Sequence, residues 1–246
     1  MEIRIGRALV TVALAGVLLA GCGSDDDGSS DTTTTKTATT STTASTSSTT
    51  STAVVTTTSA STPDQPQQAI WPFASTSTRF TDPGEAASSF ATDYLGFTAP
   101  VVGAFQQGDT RSGEVEIRPR ADGPVTTVLV RQVEDDDSWW VIGAATANIQ
   151  VTAPEALAAI TSPVTVTGQS TAFEATVNVE VRQDDTRTPL VEDTFMGGSM
   201  GEMGPFSKEL SYGPPSADGG AIVFLTLSAE DGSVWEASVV RITFGG

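Results

Sequence analysis

The stretch FMGGSMGEMGPF, Phe195 to Phe206, holds Met196, Met200 and Met203, which with the initiator make up the four methionines of the chain. Thioethers are soft ligands suited to Cu(I), and methionines three and four residues apart could converge on one ion in a flexible loop. No histidine reinforces such a site, and the single cysteine lies far away in sequence. The favoured reading is a glycine-rich connection between two strands, whose methionines cover apolar gaps or form a possible partner-contact loop. The absence of histidine also excludes Ser-His-Asp and Cys-His nucleophilic sites, histidine bases and the common zinc sets. Lys208 has Pro205 rather than a serine three positions before it, so no Ser/Lys pair forms and the lysine reads as an amphipathic stem at a sheet edge.

Three further groups of residues have chemical potential. The run EDDD, Glu134 to Asp137, offers oxygen donors for Ca²⁺, but it lacks the alternating spacing of a calcium loop and falls between two strand-like runs. A solvated turn is predicted. Trp139 and Trp140 must face opposite ways if they lie in a strand; one is expected in the core, the other packed on a helix or the second folded unit, with a sugar-stacking platform as the alternative. A carboxylate pair for glycoside hydrolysis is compatible with 30 acidic residues, yet neither folded unit is expected to be large enough to surround a sugar chain. No catalytic residue, cofactor or metal is assigned, and the chain is read as non-enzymatic.

The N-terminus carries the clearest covalent chemistry. Arg4 and Arg7 precede an apolar run from Ala8 to Ala20, the layout of a secretory signal and too short to span a bilayer comfortably. Leu19, Ala20, Gly21 and Cys22 match the bacterial lipobox, in which the cysteine sulfur receives a diacylglycerol and becomes the mature N-terminus. Cys22 is the only cysteine, so no disulfide within one chain competes for it. Acyl chains burying CH₂ groups at about 0.8 kcal/mol each would hold the protein on the outer face of the cell membrane. A net charge of −18 repels nucleic acid and anionic lipid.

These features divide the chain into four segments. Residues 1–21 read as the signal peptide. Residues 22–70, almost wholly Ser, Thr, Ala and Asp, cannot bury enough apolar surface to offset the entropy of ordering and read as a disordered tether. Residues 71–148 read as a small α+β domain. Its helix is signalled by Asp82 as N-cap, Pro83 at the first position, Glu85 in the first turn and Gly96 at the C-cap, with Ala86, Ala87, Phe90, Ala91, Tyr94 and Leu95 on one face. Strands are predicted over Gly113 to Arg118, Val125 to Val133 and Ser138 to Val151. From 149 to 246 about seven short strands are predicted. They include FEATVNVEV, where Phe173, Ala175, Val177, Val179 and Val181 alternate with polar residues facing water, and a hairpin at Asp231-Gly232. The fold class is mainly β: a sandwich preceded by a small α+β domain.

ITSPVTVTGQSTAFEATVNVEVRQDD, the glycine-rich stretch before PFSKELSY, and LSAEDGSVWEASVVRITF together resemble the immunoglobulin-like domain of bacterial spore germination proteins, over about Ile149 to Phe244. The resemblance implies an extracytoplasmic accessory module with no catalytic residues to carry over. The expected function is binding or scaffolding at the cell wall or membrane exterior, with a wall polymer or another envelope protein as partner. The alternative is a small-molecule or signal-sensing lipoprotein with its site in the α+β domain or at the domain interface.

Overall fold

The structure, a computed structural model, describes residues 65–245. The expected signal peptide, the lipidation site Cys22 and the tether up to residue 64 lie outside the described residues. The last residues of the expected tether belong to the folded part. Gln65–Gln68 form a 3₁₀ turn, Ala69 and Ile70 are buried, and the Ile70 amide donates to the Val141 carbonyl at 2.8 Å.

Helix α1, Pro83–Ser89, starts where the sequence requires. Asp82 is extended, and its carboxylate accepts from the Glu85 amide at 2.9 Å, which satisfies one of the amides left free at a helix start. The helix then widens into a π-helical turn, Phe90–Leu95, closed by Gly96 at φ 87°, a left-handed conformation that glycine adopts without steric penalty. Ala86, Ala87, Phe90, Ala91, Tyr94 and Leu95 are all buried, as their spacing predicts.

Thirteen strands follow among the described residues: β1 Val101–Gln107, β2 Ser112–Arg118, β3 Thr126–Gln132, β4 Trp139–Ala145, β5 Ile149–Ala153, β6 Ala159–Ile160, β7 Val164–Ala172, β8 Thr176–Gln183, β9 Pro189–Met196, β10 Gly198–Ser199, β11 Gly204–Leu210, β12 Gly219–Leu227 and β13 Val234–Phe244. Nine of them make one sheet in the order β1-β2-β3-β4-β13-β12-β8-β9, with β6 beside β13. The other four form a smaller sheet, β10-β7-β11 with β5 beside β7. The large sheet crosses the expected boundary at 148/149, because β4 of the first segment joins β13 of the second at Ala144 opposite Val239.

Alternation along the shared strands divides the interior. Val223 and Leu225 of β12, with Ala237 and Val239 of β13, face α1, Phe90 and Leu95 in one core. Ile222, Phe224 and Ile242 face the small sheet in a second core, with Val177, Val179, Val181, Phe195, Phe206 and Leu210. A strand buried on both faces has little polar surface to show, and β12 is buried at every residue but its last.

Several expectations are corrected. β1 was not predicted; six of its seven residues are exposed, so it carries no alternation to detect. The run Ser138 to Val151 is two strands, broken at a turn in which the Ile149 amide reaches the Thr146 carbonyl. Phe173 was expected in the core and is 62% exposed: Glu174 and Ala175 take positive φ values of 55° and 62°, which interrupts the strand and restarts the alternation at Val177. The second face of β8 was expected to meet water. Instead Glu180 and Arg182 are buried there, because the helical segment covers them. Arg182 pairs with Glu180 at 2.6 Å, donates to the Tyr94 carbonyl at 2.6 Å and lies 4.8 Å over the Tyr94 ring. Burial pushes the Tyr94 phenol up to about 12, against the opposing pull of Arg182.

Candidate functional site

The hairpin end of β12 and β13 differs from the rest of these strands. Further along, their sandwich-side positions are Ile222, Phe224, Val240 and Ile242, all packed in or against the second core. Near the turn the same face carries Thr226 and Glu236, directly opposite each other in register. The turn is the one that Asp231-Gly232 predicts. Gly232 has φ 74°, its amide donates to Ser228, and Ser233 accepts from the Ser228 amide.

Glu236 is 3% exposed, and three neutral side chains meet its carboxylate. Thr146 donates to Oε2 at 2.5 Å, Asn148 to the two oxygens at 3.2 and 3.0 Å, and Thr226 to Oε1 at 3.3 Å. Burial raises its pKa above the usual glutamate range, and these hydrogen bonds oppose the rise. No ion pair engages Glu236 among the described residues. The break in the predicted 138–151 strand therefore has a local consequence: the turn it creates delivers Thr146 and Asn148 to this carboxylate.

A cleft of about 420 Å³ opens above it, lined by Asn148, Phe173, Met200, Thr226, Trp235 and Glu236 among others. Its rim is apolar on one side, where Phe173 and Met200 are 62% and 83% exposed. On the other side Arg120 lies 4.8 Å over the Trp235 ring and is held by Asp122 at 3.0 Å and Glu230 at 3.3 Å. The cleft thus takes Arg120 and Asn148 from the segment before residue 149 and the remaining residues from the segment after it.

The methionine loop builds the apolar rim. Gly198 and Ser199 run parallel to Thr171 and Ala172, and the Gly201 amide donates to Thr171 Oγ1 at 3.1 Å. Met200 and Gly201 both have positive φ, 55° and 85°, which turns the Met200 side chain outward at the tip. Met196 ends β9 and is 70% exposed, whereas Met203 is half-buried. The three expected contact residues therefore separate: Met200 lines the cleft, and Met196 and Met203 do not.

The other sequence candidates have structural surroundings. Glu134 to Asp137 form the β3–β4 turn, where Glu134 pairs with Arg79 at 3.6 Å, Asp135 with Arg111 at 3.7 Å, and Asp136 accepts from the Ser138 amide at 3.0 Å. Among the described residues no three His, Cys, Asp or Glu side chains converge as a metal site requires. Lys208 is on the β11 edge of the small sheet and pairs with Asp193 at 2.7 Å. Trp140 is wholly buried with Arg79 4.6 Å from its ring. Trp139, on the opposite face, packs edge-on against Phe105 at 5.1 Å, so the half-buried tryptophan serves packing. Trp235, Glu236 and Asn148 were not singled out from sequence; the one available signal was a glutamate on the strand face that further along carries Val240 and Ile242, and it shows only once the register is known.

Residues 148–233 match the family model of the immunoglobulin-like domain of bacterial spore germination. The match covers the sandwich strands from the Asn148 turn to the β12–β13 hairpin, and it includes Asn148, Phe173, Met200 and Thr226 of the cleft. Trp235 and Glu236 fall just past its end, and Arg120 belongs to the preceding segment. The sandwich of this chain is thus an immunoglobulin-like domain of the spore-germination type, and its large sheet is extended by β1 to β4. No curated protein and no solved structure matches the chain.

Proposed function

We propose that the protein is a non-enzymatic, lipid-anchored envelope protein whose immunoglobulin-like domain acts as a binding module outside the cell membrane. Anchoring rests on the lipobox ending at Cys22, and the domain type supports a germination-related extracellular setting. The observation that carries the binding role is the apolar rim at one end of the sandwich. Exposed Met200 has positive φ, exposed Phe173 directly precedes the positive-φ pair Glu174 and Ala175, and large apolar side chains presented together at a loop end mark contact sites. The partner class is cell-wall polymer or another envelope protein. Co-sedimentation of the full-length chain with cell-wall sacculi tests this, beside a Phe173→Ser/Met200→Ser variant. Retention of the wild type and its loss in the variant are the expected results; no retention of the wild type removes the wall polymer as partner.

A second reading has its own observation in favour. The cleft over Glu236 draws on both segments of the chain and has the size of a small-ligand site, which supports a ligand-sensing lipoprotein. A ligand class that raises the thermal midpoint of the chain is the expected sign of this role.

A further inference from the structure

Resting on the ligand-sensing reading, we propose that the cleft over Glu236 binds a small organic ammonium ion, its charged group against the Glu236 carboxylate and its apolar body between Phe173, Met200 and Trp235. The carboxylate offers about four acceptor positions, and Thr146, Asn148 and Thr226 meet it through four contacts, two of them shared by the single Asn148 amide nitrogen. All three donors are neutral. A carboxylate taken out of water gains most from a cation that brings a hydrogen bond with it, and no cationic side chain of the described residues pairs with this one.

The walls select the same chemistry. Trp235 already accommodates a cation on its face, the Arg120 guanidinium, and aromatic faces attract cations through their quadrupole. Arg120 is itself neutralised by Asp122 and Glu230, so the charged groups lining the cleft, Arg120, Glu230 and Glu236, sum to a negative site. Phe173, Met200 and Leu227 supply the apolar contact. A purely structural carboxylate would tie the 146–148 turn to the hairpin and would gain nothing from an open cleft above it.

The test is an NMR titration of the full-length chain, following the Trp235 indole N–H, with 2-phenylethylammonium, neutral 2-phenylethanol and anionic 3-phenylpropionate. A saturable shift with the ammonium compound is expected, with binding at least about tenfold weaker for the other two and for Glu236→Gln. Should Glu236→Gln fail to fold, Phe173→Ser replaces it, because its side chain is exposed; it should weaken binding by roughly threefold or more through lost apolar contact. Equal affinity for the ammonium and the alcohol, or unchanged affinity in both variants, overturns the ammonium assignment and leaves the ligand-sensing reading standing. No saturable shift with any of the three compounds overturns both.

Discussion

Phe224→Ala tests whether one sheet makes the two cores a single cooperative unit. Phe224 is wholly buried on β12, with ring centroids 6.2 Å from Phe195 and 6.1 Å from Phe206. Removing a buried phenylalanine costs about 3–5 kcal/mol in lost transfer energy and cavity formation. For a folded part of this size 1 kcal/mol moves the melting midpoint by about 2–4 °C, so a fall of roughly 6–20 °C is expected. The decisive feature is which probe sees it. The four tryptophans, Trp71, Trp139, Trp140 and Trp235, are not part of the core that holds Phe224. If β4-β13-β12 transmits the loss, tryptophan fluorescence and far-ultraviolet circular dichroism will show one coincident transition, shifted equally. Val223→Ala, the neighbour facing the helix-side core, should shift the same single transition by a smaller amount, at about 2 kcal/mol. A fluorescence midpoint that stays in place while the dichroism midpoint falls would refute the argument and restore two independent units.

Arg182→Met leaves Glu180 buried without its partner and should cost about 3–5 kcal/mol; in a urea-denaturation double-mutant cycle the further change Glu180→Gln should recover part of that, and strict additivity would show that the pair is not coupled. Glu236 has a folded pKa raised by burial, so the stability linked to it is fully present below the unfolded glutamate pKa and is lost as pH rises through the higher folded value. Stability measured by urea across the range above the ordinary glutamate value should decline less steeply in Glu236→Gln than in the wild type, with Arg120 and Glu230 as the other charged groups of the cleft; parallel curves would deny the shift. In the methionine loop, Gly198→Ala places a Cβ against the Glu202 carbonyl and the Gly204 amide, so it should lower the melting midpoint more than Gly201→Ala. At Gly201 the space is open, and only the left-handed backbone, φ 85°, opposes a side chain, at about 1–2 kcal/mol. The reverse order in a thermal melt would contradict the loop geometry.

The local signals of the sequence were sufficient for some elements and not for others. Asp82, Pro83 and Gly96 set the helix ends because capping is satisfied within a few residues of chain. The Asp231-Gly232 turn is legible for the same reason. Val177, Val179 and Val181 show the buried face of β8, since alternation with period two is a local property. The opposite face of β8 was not legible: Glu180 read as a solvent-facing residue, and only the helix that folds back over it and Arg182 makes their pairing necessary. β1 escaped notice because an exposed edge strand needs no apolar pattern; its hydrogen bonds to β2 define it.

The cleft shows the same division more sharply. Sequence alone identified the glycine-rich methionine loop and excluded histidine chemistry, because the chain has no histidine. It also identified the domain type, through a pattern spread over many residues. It did not bring Asn148, Thr226 and Glu236 together. These residues are separated by 88 positions between Asn148 and Glu236 and by 10 between Thr226 and Glu236. Their meeting depends on strand register and on a turn that interrupts a run which reads as continuous. Whether a glutamate lies in water or under three hydrogen-bond donors is decided by what packs above it, and that is a property of the assembled sheets.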